Sequence, residues 1–144
     1  MVSAPGAPDP DLTIKLREWL RLAPCGVPAV AIWLVPPPAK PAALLLFLAS
    51  VPLFWMVSAR PGLELRARWY ALAPWAAALA AVALAWVGEQ IAACVTSFCA
   101  TAGLLALERR YSMLDDWRAD LRARVTLRLG IVHLTSLAYA YGAA

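Results

Sequence analysis

The stretch PWAAALAAVALAWVGEQIAACVTSFCATAGLLALERR, Pro74 to Arg110, decides the fold. Before Glu108 it holds a single formal charge, Glu89. Read as one helix with the aromatic pair before it, Trp69 to Leu107 would extend ~58 Å, nearly twice the hydrocarbon thickness of a bilayer. That reading requires a partner subunit to cover the overhang. Read as two helices, the stretch folds back at Gly88-Glu89-Gln90. Glycine suits a helix end, and Trp69 and Trp86 would stand ~26 Å apart, the spacing of aromatic belts at the two faces of one span. The hairpin is the expected form, with spans at 69–87 and 91–107.

Composition points the same way. The 144 residues are 62% hydrophobic and only 15% charged, with a mean hydropathy of +0.66. Soluble domains run at about 45–50% apolar and about 25% charged, and a chain of this size cannot bury so much apolar surface in one core. The expected class is all-α: a polytopic integral membrane protein with three to four transmembrane helices plus amphipathic interfacial helices.

Upstream of the hairpin, AALLLFLASVPLFWMVSA (42–59) reads as a first span bracketed by Lys40 and Arg60, with Pro52 predicting a kink. Residues 1–41 form a Pro-rich N-terminal segment. Within it, DPDLTIKLREWLRL predicts a short basic amphipathic helix begun by Asp9 and Pro10. Its Leu12, Leu16, Trp19 and Leu20 suit a membrane interface or a partner protein. Residues 22–39, interrupted by Pro24, Pro28 and Pro36–Pro38, are too short and broken for a span and read as a re-entrant or interfacial segment. The opening MVSAPGAPDPDL lacks the basic start and apolar core of a secretory leader.

Downstream, residues 108–128 carry six arginines and four acids among apolar positions that recur every three or four residues. This predicts a charged amphipathic helix, with Asp120 and Arg124 as a favourable pair. Residues 129–144 are uncharged and form a possible final transmembrane helix. Four spans would divide the basic residues nine (loops 60–68 and 108–128) against four (residues 1–41), placing both charged loops inside and the termini outside.

Polar residues at depth are few. Glu89 and Gln90 are a candidate polar membrane site that could carry a proton or cation, or else a turn at the water surface. His133, the one histidine, is a candidate cofactor-binding residue for haem or chlorophyll, or else a hydrogen-bonded packing group. Cys25, Cys94 and Cys99 show no metal-ligand spacing and are expected to be buried free thiols. The nucleophile elbow, phosphate loop, zinc-protease helix and dinucleotide fingerprint are absent from the sequence. No catalytic residue, metal or cofactor is therefore expected, apart from structural lipids. The net charge of +4 shows no basic stripe interleaved with aromatics, so nucleic acid is not an expected partner.

Packing surface is what the spans do offer. Ala77, Ala81 and Ala85, and Ala93, Ser97 and Thr101, recur every four residues. In lipid, such small residues allow helices to approach closely. The expected function is that of a non-catalytic accessory subunit of a large multi-subunit membrane complex, a respiratory-chain (electron-transport) or other energy-transducing one. Other membrane subunits and the bilayer would be its partners. The mitochondrial inner membrane is the favoured location, with a bacterial inner membrane or thylakoid as alternatives. A small transporter or channel using Glu89 and Gln90, and a pigment-binding photosynthetic subunit using His133, are the competing readings.

Overall fold

A computed structural model describes residues 10–59, 63–113 and 116–143. Among them there is no strand. Seven α-helices follow one another: α1 (Pro10–Leu20), α2 (Ala23–Leu34), α3 (Lys40–Phe54), α4 (Leu65–Tyr70), α5 (Leu72–Trp86), α6 (Gln90–Tyr111) and α7 (Asp116–Ala143). A 3-10 turn, Pro37–Ala39, leads into α3, and a π turn, Trp55–Ala59, follows it. Three stretches are long and apolar enough to cross a membrane: Pro37–Val57, Leu65–Trp86 and Gln90–Tyr111.

The hairpin is present, and its chemistry is local. Gly88 has φ +93°, a conformation that costs a residue with a Cβ but not glycine. The Glu89 amide donates to Leu84 O at 2.9 Å and the Gly88 amide to Ala85 O at 3.2 Å. These two bonds are those of the Schellman ending and satisfy carbonyls that the helix leaves open. Glu89 then becomes the residue before α6. The second span is not one uninterrupted helix from Trp69: α4 and α5 meet at Ala71. Pro74 accounts for the break, because its ring removes the amide that would bond to Tyr70 O and crowds that carbonyl. Pro74 also lies close to α6, where a Cβ on Gly103 would sit 3.4 Å from its Cγ.

The boundary expected at 107/108 lies elsewhere. α6 runs on through Glu108 to Tyr111, and the charged stretch 108–128 is not one element. Two backbone features fix the true end: the Glu64 amide donates to Tyr111 O at 2.9 Å, and Leu63 and Ser112 form an isolated antiparallel bridge. The remaining charged residues and the uncharged tail form a single helix, α7, of 28 residues. One buried stripe crosses the change of character: Thr126, Leu129, His133 and Ser136 are all buried, at helical spacing. Asp9, the expected N-cap of α1, lies outside the described residues.

Residue pairings define the ends of the bundle. α6 and α7 run antiparallel, with Glu108 against Thr126 and Ser97 against His133. α3 runs antiparallel to α7, with Phe47 on His133 and Lys40 beside Tyr139. α2 runs antiparallel to α3, since Cys25 meets Ser50 and Trp33 meets Lys40. The segment 22–39, expected to be re-entrant or interfacial, therefore traverses the bundle alongside α3. That places α1 at the same end as the start of α4 and the end of α6. The expected nine-to-four division of basic residues is corrected: of those described, Lys40 alone lies at the opposite end, and the other eleven lie toward this one.

Candidate functional site

At the arginine-rich end, five polar side chains from three regions converge. Glu18 of α1 pairs with Arg21 at 3.3 Å and with Arg122 of α7 at 3.4 Å. Glu108, only 4% exposed near the end of α6, accepts a hydrogen bond from Thr126 Oγ1 at 2.6 Å. With Phe54 and Val125, these groups enclose a void of about 10 Å³, room for roughly one water and no organic ligand. Burial, ahead of the neighbouring charges, holds Arg21 below its ordinary value, and Glu18 acts in the opposite sense. Glu18 pairs with both guanidiniums, and Glu108 is held by Thr126. The cluster is built to fasten α1 to the ends of α6 and α7.

This fastening turns α1 inside out by the standards of a water-soluble protein. Glu18 is half-buried against the bundle, whereas Leu12, Leu16, Trp19 and Leu20 are exposed. The apolar stripe expected from the sequence is there, but it faces away from the rest of the chain.

The second polar group is at mid-bundle. His133 Nδ1 lies 2.8 Å from Leu129 O, which can only accept, so Nδ1 carries the proton. Nε2 is then the acceptor for the Ser97 hydroxyl at 2.7 Å. Phe47 and Phe98 pack edge-on against the imidazole, at centroid distances of 4.9 and 6.5 Å. Both ring nitrogens are engaged within the chain, so a ligand at His133 would have to displace one of these bonds. Glu89 and Gln90 are not brought to His133. Glu89 is exposed on the hairpin turn, Gln90 is half-buried beside it, and Ser97 lies ~12 Å further along the helix from Glu89.

Each of the seven buried polar or charged side chains described, Ser50, Ser97, Thr101, Glu108, Thr126, His133 and Ser136, has a hydrogen-bond partner. The buried side-chain nitrogens without one are the Trp55 and Trp75 indoles and parts of the Arg118 and Arg122 guanidiniums. Asp120 and Arg124 pair as expected, at 2.8 Å and largely exposed. Cys25 and Cys94 are buried free thiols, but Cys99 is exposed. No group of three or more possible metal ligands occurs among the described residues. Sequence reading missed Glu18, Arg21, Glu108, Arg122 and Thr126 as a unit. The available signal was the α6 stripe itself: continued at helical spacing past Ala93, Ser97 and Thr101, it reaches Leu104 and then Glu108, all buried.

Together these features define an all-helical protein with three helices long and apolar enough to cross a membrane. No protein-family model, curated protein or solved structure matches the chain.

Proposed function

We propose that the chain is an integral membrane protein serving as a non-catalytic accessory subunit of a large multi-subunit complex, a respiratory or other energy-transducing one. Its location would be an energy-transducing inner membrane, the mitochondrial one foremost. The observation that carries the reading is the extent of uncovered apolar surface. Only 17% of the span window within Leu65–Trp86 is buried, and Leu34, Val57 and Trp86 are 79%, 75% and 78% exposed. Lipid solvates such surfaces without cost, whereas water does not.

Support for a packed neighbour comes from α5. The expected stripe Ala77, Ala81, Ala85 is half-buried or buried and serves the chain itself. A second stripe, Ala73, Ala76, Ala80 and Ala83, lies exposed on the same helix. Small side chains there favour another helix at close approach over lipid tails. Purified in mild detergent, the protein should migrate as a stoichiometric component of a much larger assembly. Replacing Ala76 and Ala80 together with isoleucine should release it, while its own melting temperature stays within a degree or two. A small homo-oligomer in both cases would refute the subunit reading.

The charge distribution predicts the orientation. Eleven of the twelve described basic residues lie toward one end, and that end should face the compartment from which the protein is inserted. In a cysteine-free background, Arg17→Cys and Glu89→Cys should react with an impermeant maleimide from opposite sides of sealed vesicles. Labelling of both from one side would refute the passage of α2 through the bundle.

A further inference from the structure

The end of the bundle opposite the arginines is nearly free of charge, and Lys40 is its one described cation. Lys40 opens α3. Its Nζ stands 5.9 Å from the ring centre of Trp33, near the end of α2, and 5.4 Å from that of Tyr139, near the end of α7. With Pro37 and Gly142, these three residues wall an open cavity of about 380 Å³. Among the described residues no carboxylate lines it, and none of the described ion pairs involves Lys40. A similar cavity at the other end, lined by Lys15, Trp117, Asp120, Leu121 and Arg124, brings its own carboxylate, which already pairs with Arg124.

We propose that the Lys40 cavity binds the phosphate of an anionic phospholipid. This rests on the membrane reading above. The volume falls within the usual range of about 300–1,000 Å³ for small-ligand sites. The aromatic rings fix the ammonium from two sides by cation–π attraction but supply no counter-charge. A phosphate supplies that charge and accepts the ammonium's protons, the pairing lysine makes as a point charge. Tryptophan and tyrosine at headgroup level suit the glycerol region beside it. Val30 and Leu34, exposed on α2 within one turn of Trp33, offer the acyl chains an apolar surface that leads away from the cavity. Phosphatidylcholine is disfavoured because its own ammonium would compete for ring faces that Lys40 already occupies.

Native mass spectrometry of the protein released from detergent, after addition of phosphatidylglycerol and phosphatidylcholine in equal amounts, reads the site directly. The wild type should retain one phosphatidylglycerol. Lys40→Ala should weaken that adduct roughly tenfold, the loss of one charge-assisted contact, and Lys40→Arg should keep it. Tyr139→Leu provides a second variant that leaves the charge in place, and it should weaken the adduct less. Equal retention by the wild type and Lys40→Ala, or no preference between the two lipids, would overturn the site. Displacement by millimolar inorganic phosphate would also overturn it, because the occupant would then be a free anion. Flotation of the same preparations with phosphatidylcholine–phosphatidylglycerol liposomes after a carbonate wash separates the two levels. Floating protein without the Lys40-dependent adduct refutes the lipid site alone; protein that does not float refutes the membrane reading with it.

Discussion

Arg122→Ala should lower the stability of the detergent-solubilised protein by about 3 kcal/mol, the cost of stranding a buried charge by deleting its partner. Arg122 is the cation of α7 that reaches Glu18, and its side chain is 13% exposed against 12% for Glu18. Without it, Glu18 keeps Arg21 as its one remaining described ion-pair partner, facing Glu108 across the same small void. The consequence is local first. α1 is held to the bundle through Glu18, so its amides should lose protection in hydrogen exchange before those of α5 and α6 do. Glu18→Gln should cost less, since Arg122 keeps Glu108 nearby. Arg122→Met combined with Glu18→Leu should recover most of the loss, because an apolar pair of similar volume brings no desolvation penalty. A thermal melt of Arg122→Ala within a degree of wild type, with α1 still protected, would show that the cluster is decorative.

The same cluster shows what the sequence hid. Charge in a linear sequence reads as exposure, and Glu108 begins a run of arginines that looks solvated. What buries it is distant in the chain: Thr126 from α7, and Arg122 paired with Glu18 from α1. Helix ends set by long-range pairing were hidden for the same reason. Nothing near Tyr111 announces that its carbonyl will accept the Glu64 amide. The α5–α6 hairpin was legible because its determinants are local: a glycine at positive φ between two runs whose lengths match a bilayer. The packing of α2 along α3 was hidden because a short apolar run does not name its neighbour. At 12 residues, with Pro28 inside it, α2 is shorter than the three candidate spans.

Those two corrections combine into a stronger physical picture than either reading alone. A four-crossing chain would divide the thirteen basic residues nine against four, a weaker bias. With α2 lying along α3 from one end of the bundle to the other, the bias becomes eleven to one among described residues. Lys40 is then the lone described cation at the sparse end, and the dense end is where carboxylates and guanidiniums interlock. The fold thus separates its charges by depth and keeps the interior for neutral hydrogen bonds such as Ser97–His133.

His133→Ala should destabilise the protein by about 3 kcal/mol, the lower part of the range for removing a large buried ring. His133 is 1% exposed and packs against two phenylalanines, so most of that loss is the cavity left beneath Phe47 and Phe98. The Ser97 bond should contribute less, about 0.6 kcal/mol and at most ~1.7, as measured between helices in membranes; the His133→Ala/Ser97→Ala double-mutant cycle isolates it. Two conservative variants divide the imidazole's roles. His133→Asn places an amide N–H where Nδ1 stands and can still donate to Leu129 O, but falls short of Ser97. His133→Gln reaches Ser97 and gives up Leu129. Both should be milder than alanine because they refill part of the space. The competing reading of His133, as a ligand to haem iron or chlorophyll magnesium, makes a different prediction. The purified wild type would then carry an absorption band in the visible that His133→Gln shifts or abolishes. A colourless preparation whose melting temperature follows the order wild type, Gln or Asn, then Ala is the result expected of a packing histidine. A pigment lost with the side chain would assign His133 to chemistry instead.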